Sequence, residues 1–269
     1  MKKMHKEKTS NLLKNIYIGL VFLLLYLPIL FVIVFSFNTS KMNIVWEGFT
    51  LKWYGSFFQN RSLMSALENT LVVSITSTVI STIIGTLGAV GLNKFNFKGK
   101  QLIDKLLYIP IVIPEIVLGV ALLSIFSILN MSLGLTTIIL AHITFSIPFV
   151  VITVRARISG IDKSLEEAAM DLGANRFKTF MYVTLPLLLP GVLSGAMLAF
   201  SLSLDDVVIS FFTCGPGSTT LPIYIMSIVK TGVTPEVNAL STVIMLVIIV
   251  IISINTTRQV KNLKKKHAS

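Results

Sequence analysis

Cysteine, histidine and charge are all scarce in this chain. There is one cysteine, three histidines and 12 acidic residues in 269 positions. A lone Cys214 cannot close an internal disulfide and has no second thiol for a metal, so it reads as a small loop residue. His5, His142 and His267 are too scattered to read as a ligand set, and His142, inside an apolar run, reads as an interhelical hydrogen-bonder. No G-x-x-x-x-G-K-[ST] phosphate loop, Ser/His/Asp grouping or metal cluster occurs. Catalysis has no visible seat, and the reading is a non-enzyme with no catalytic residue, no cofactor and no metal. Only 13% of the chain is charged, against roughly a quarter in soluble domains. A soluble globule is excluded. The net charge of +11 raises nucleic acid as a partner, but most basic residues flank apolar runs instead of forming a patch, so none is expected.

What the chain has in abundance is apolar length. It is 54% hydrophobic with a mean hydropathy of +0.83. The expected fold class is all-α and integral to a membrane, with six transmembrane helices at about 16–37, 69–92, 102–129, 135–154, 187–212 and 237–254. Residues 1–14 form a basic N-terminus, 15–257 the six-helix domain and 258–269 a basic tail. The first apolar run is about 22 residues long with no small-x-small cleavage site after it, so it reads as an uncleaved span. Trp46 and Trp53, in an aromatic stretch before the second span, read as interface anchors.

Several spans carry features of packing. Ser77, Ser81, Gly85 and Ala89, and again Gly191, Gly195, Ala199 and Ser203, recur every fourth residue and let another helix approach closely. Asp206 falls near the second stripe and Asp205 about 100° away. Pro110 and Pro114 should bend the third span, next to Glu115. Glu115 has two readings, a carboxylate facing a wet cavity or one bonding to neighbouring helices. The apolar stretch 223–229, after the turn-rich Gly215-Pro216-Gly217, is too short to cross and is expected to dip back into the outer leaflet.

With six spans, both termini and the loops 93–101 and 155–186 share one side. That side holds 19 of the 23 basic residues, leaving Lys41, Lys52, Arg61 and Lys230 outside. The positive-inside rule makes it the cytoplasmic side of the cell membrane.

The longest charged segment between two spans runs from Ser164 through Leu165, Glu166, Glu167, Ala168, Ala169, Met170, Asp171 and Leu172 to Gly173. Ser164 and Glu167 have capping-box spacing, and Gly173 sits where a left-handed C-cap favours glycine. A second amphipathic turn from Asn175 is expected to end at Pro186. Leu165, Ala168, Ala169 and Leu172 gather on one face, and so short a helix needs something to dock on. Glu167-Ala168-Ala169, Gly173, Val183 and Leu185-Pro186 together resemble the EAA loop of binding-protein-dependent ABC importer permeases, with Val183 in place of the usual isoleucine.

That resemblance implies the type I ABC importer permease fold. It also implies an ATPase-coupling role for Glu167, Ala168, Ala169, Gly173, Leu185 and Pro186. Ser201-Leu-Ser-Leu-Asp205-Asp206, Gly215-Pro216-Gly217 with Leu221-Pro222, and the stretch 233–239 are similar to the spermidine/putrescine permeases. The implied partners are a sister permease in a heterodimer, a cytoplasmic ATPase dimer, an external polyamine-binding protein and the lipid bilayer. Asp205, Asp206, Glu115 and Tyr224 are candidates for the pathway of a polycation, which needs carboxylates and aromatic faces. Capping or a charge pair with the sister subunit is the alternative for the two aspartates. Two other functions stay open: the same architecture importing an anion or a metal chelate, and an ATPase-independent channel or secondary transporter.

Overall fold

In a bilayer every backbone N–H and C=O must be satisfied within the protein, and helices do this segment by segment. The computed structural model describes residues 2–41, 45–162, 164–229, 232 and 234–267, and these are overwhelmingly helical. In chain order the helices are α1 Lys2–Phe35, α2 Lys52–Ser56, α3 Arg61–Lys94, α4 Lys100–Val112, α5 Glu115–Ile128, α6 Leu135–Ile158, α7 Ser164–Asp171, α8 Arg176–Thr179, α9 Leu185–Asp205, α10 Val208–Thr213, α11 Leu221–Val229 and α12 Pro235–His267. Lys14–Phe35, Arg61–Lys94, Leu135–Ile158 and Arg176–Asp205 are long and apolar enough to cross a membrane. Counting α4 with α5 as one broken span makes five, and Pro235–Val250 is a shorter apolar helix. Lys163, Lys230 and Val233 of the sequence reading lie outside the described residues.

The chain divides into two compact units, residues 1–64 with 225–269 and residues 65–224. In the first, α12 packs with α1 and α2. Trp53 is buried and its indole N–H donates to the Asn38 carbonyl at 2.6 Å, so it is an internal anchor and not the interface residue expected. Glu236, in the first turn of α12, accepts from Ser56 and from Asn60 Nδ2 (3.0 Å).

The second unit is built around α6, whose apolar window is the most buried of the candidate spans. Both small-residue stripes lie against it. A Cβ at Gly85 would sit 2.7 Å from the Val150 side chain, and one at Gly191 would sit 2.6 Å from Cβ of Arg157. Gly191, Gly195, Ala199 and Ser203 are all buried on α9. Helices α5 and α10 pack together beside α6, with Leu122, Phe126, Ala141, Phe145 and Ile209 forming a second apolar cluster.

One sequence expectation is sharpened and two change. The third span bends at its prolines, by 113° between α4 and α5. Pro114 supplies no N–H, and Ile113 before it is extended (φ −72°, ψ 136°), the conformation a following proline favours. The fifth span does not run to 212, because α9 stops at Asp205 and α10 begins again at Val208. Nor does Pro186 end the amphipathic turn. Helix continues from Arg176 into α9 through a π-helical turn at Phe180–Thr184, and Pro186, which has no N–H to donate, follows directly after that turn.

Adding methyl groups at a sub-van-der-Waals approach should destabilise this unit. We expect Gly85→Val to lower stability by about 1–3 kcal/mol. The equivalent change at Gly91, where a Cβ meets nothing within 4 Å, should have a much smaller effect. Thermal unfolding of both variants in detergent measures the difference.

Candidate functional site

The EAA segment folds as a short helix, a glycine corner and a second turn. Ser164 opens α7 as its first residue, and Asp162 Oδ1 accepts its N–H at 3.0 Å. The cap is therefore Asp162 and not the Ser164–Glu167 box. This bond holds the fully exposed Asp162 carboxyl below its ordinary range. Gly173 has φ +87°, a left-handed corner where a side chain is strained. Asn175 caps α8 by accepting from the Lys178 N–H at 2.8 Å.

The apolar face of α7 is uncovered. Leu165 is 47% exposed, Leu172 90% and Phe177, across the corner, 72%. Ala168 and Glu167 are exposed as well, while Ala169 is half-buried. The side chain that ties the helix inward is Glu166, which the sequence reading left out. Its Oε2 lies 2.7 Å from Lys94 Nζ at the end of α3, and its Oε1 accepts from Thr184 Oγ1 at 2.5 Å. Burial pushes the Glu166 carboxyl up, but Lys94 and the Thr184 hydroxyl outweigh it and hold it below its usual range. Leu185 and Pro186 follow directly and start α9.

Far along α9 lies a second arrangement. Glu115, Asp205 and Asp206 line one cavity of about 340 Å³ at the α4–α5 break and the α9–α10 junction. Phe145 and Phe149 of α6 supply aromatic wall, with Pro110, Leu118 and Leu202 nearby. Of the predicted set, the structure brings these three carboxylates together. Tyr224 is not in the wall: it lies on α11, its N–H bonded to the Thr220 carbonyl.

The carboxylates are not equivalent. Asp206 has a 5% exposed side chain and accepts from the N–H groups of Ile209 (3.2 Å) and Ser210 (2.7 Å) at the start of α10. His142 Nε2 lies 3.3 Å from Asp206 Oδ2 and 2.9 Å from Ser210 Oγ. On its other side, His142 Nδ1 meets Ser203 Oγ at 2.6 Å, and Ser203 meets Ser77 of α3 at 3.1 Å. His142 is thus the interhelical hydrogen-bonder expected, and Asp206 the cap of a helix the sequence had merged with its neighbour. Asp205 and Glu115, by contrast, are exposed to the cavity side. The signals for this network in the sequence were His142 itself and the serines of the two small-residue stripes, Ser77 and Ser203.

Comparison with known proteins gives three concordant results. Residues 78–266 match the family described as the binding-protein-dependent transport system inner membrane component. The chain is 42% identical over 243 residues to the Escherichia coli K12 spermidine/putrescine transport system permease protein PotC, covering 90% of this chain and 92% of that one. It is 41% identical to the Escherichia coli K12 putrescine transport system permease protein PotI, covering 83% and 82%. Among solved structures, a bacterial ABC transporter that imports the acidic polysaccharide alginate superposes with TM-score 0.71 at 16% identity, over 94% of this chain and 97% of that one. The MetNI methionine ABC transporter gives 0.57 at 22% identity, over 75% and 94%.

The two neighbouring aspartates should separate in a stability experiment. Asp206→Asn loses a buried charge-assisted network and should destabilise the protein by about 1.5–3 kcal/mol. Asp205→Asn should stay within about 0.5 kcal/mol. Thermal unfolding of the two variants in the same detergent is the check.

Proposed function

From the premise that this chain belongs to the family of binding-protein-dependent transport system inner membrane components, we propose that it forms half of the membrane pathway of an ATP-driven polyamine importer. It works with a sister permease, two copies of a cytoplasmic ATPase and an external polyamine-binding protein. Six spans place both termini and residues 155–186 in the cytoplasm, with α4–α5 as a broken third span and α12 as the sixth. Helix α11, nine residues and about 14 Å long, does not cross.

The observation carrying the substrate is the cavity at the two helix breaks. An ionised carboxylate within a span is unfavourable unless it meets water, a cation or a donor. Asp206 has its donors; Asp205 and Glu115 make no ion pair or hydrogen bond among the described residues. Two free carboxylates beside Phe145 and Phe149 suit a flexible chain with an ammonium at each end, whose cations also gain from aromatic faces. An anion, and an anionic metal chelate with it, is disfavoured by the same charges. PotC and PotI carry spermidine and putrescine in their names, which agrees with this chemistry.

At the other end, the exposed Leu165, Ala168, Leu172 and Phe177 form the surface that seats in the ATPase. Glu167, Ala169, Gly173, Leu185 and Pro186 shape it and join it to α9. An ATPase-independent channel would have no use for such an uncovered apolar corner.

Two measurements test this. Asp205→Asn and Glu115→Gln keep shape and remove charge, so each should cut uptake of radiolabelled putrescine or spermidine by about tenfold at unchanged permease level; normal uptake in both rejects the cavity as the pathway. Gly173→Val should abolish co-purification of the ATPase while the permease still inserts.

A further inference from the structure

We infer that Glu166, next to the EAA glutamate, is the positioning residue that ties the coupling helix to both α3 and α9. This rests on the coupling reading above. Helix α7 is eight residues long, too short to hold a fixed pose by its own hydrogen bonds. Between it and the helix ends lie two cavities of about 480 and 590 Å³, and Glu166, Lys94 and Met170 are walls common to both. The carboxylate is a strut across this space. Its two oxygens go to two different helices: Oε2 to Lys94, the last residue of α3, and Oε1 to Thr184, the residue before α9. The Glu166 end is the more shielded, its side chain 21% exposed against 34% for Lys94. Thr184 is buried.

The two helices held in this way are the ones that meet again at the cavity. Ser77 of α3 bonds Ser203 of α9, which bonds His142, which faces Asp206. A displacement of α7 by the ATPase would therefore reach α9 through Thr184 and α3 through Lys94 together, so the two helices shift without shearing the Ser77–Ser203 contact. Glu167, on the same helix, is exposed and has no such link among the described residues. Of the two adjacent glutamates, both of which line the smaller cavity, it is Glu166 whose carboxylate spans to the permease helices.

The test uses the assembled transporter and a double-mutant cycle. Glu166→Gln and Lys94→Met should each purify with the ATPase at the wild-type ratio, since the Leu165–Phe177 surface is untouched. Each should lower polyamine uptake by about tenfold. The double variant should fall no further than the worse single one, and Lys94→Arg, which keeps the pair, should transport normally. Additive losses, unimpaired single variants, a defective Lys94→Arg, or loss of the ATPase from either single variant would each overturn the assignment. If the unmodified permease itself fails to purify with an ATPase, the coupling reading falls first; if it does purify and the losses add, only the strut falls.

Discussion

A carboxylate among apolar helices must be answered by a donor, a cation or water, and the arrangement of the second unit follows from how its three are answered. Asp206 is answered by His142 and by two N–H groups of α10. That requires α9 to stop at Asp205 so that α10 can present its first turn, and it requires His142 to be buried on α6 at the same depth. Burying His142 in turn calls for hydroxyls on both sides, which Ser203 and Ser210 provide. Removing any one member would leave a polar group unpaired where water is scarce, so the network is all or nothing. Asp205 and Glu115 are outside this economy and face the cavity instead.

Close packing carries the rest. The glycines of α3 and α9 bring two helices onto α6 at distances no larger residue permits, and the serines in the same stripes then reach across at hydrogen-bond length. Small residues here have two consequences at once: backbone approach, and short hydroxyls that meet without a long side chain between them. On the reading proposed for the coupling helix, this also makes α3, α6 and α9 a stiff block. Motion delivered at Glu166 would then appear at the far end of α9 with little loss.

What the sequence made legible was whatever depends on composition and short-range spacing. The helical class, the uncovered face of Leu165, Ala168 and Leu172, the positive φ at Gly173 and the small-residue stripes all follow from local rules. What it hid depends on where a helix stops. Apolar residues resume at Val207 straight after Asp205-Asp206, so the pair read as two charges within one span and not as the end of α9 and the cap of α10. The same holds for the 113° break at Pro114, where two prolines announced a bend but not its size. Glu166 was hidden differently. Two adjacent glutamates on a helix point about 100° apart, and only the position of Lys94, 72 residues earlier, decides which of them turns inward.

The distribution of charge makes sense of a basic chain with an acidic cavity. Basic residues crowd one side of the proposed topology, where they fix orientation, and they do not enter the cavity walls. On the proposed reading a passing polyamine would therefore meet carboxylates and no basic side chain of this chain within the cavity. On that reading the two free carboxylates match the two ammonium groups of putrescine, and the third charge of spermidine is left to the other half of the pathway. Binding in a conducting pathway must also be weak enough to allow exit, and each further free carboxylate would strengthen the hold. Committing Asp206 to His142 and α10 keeps the number of free carboxylates at two. On the proposed reading the buried histidine therefore limits the charge the cavity offers, besides supporting the fold.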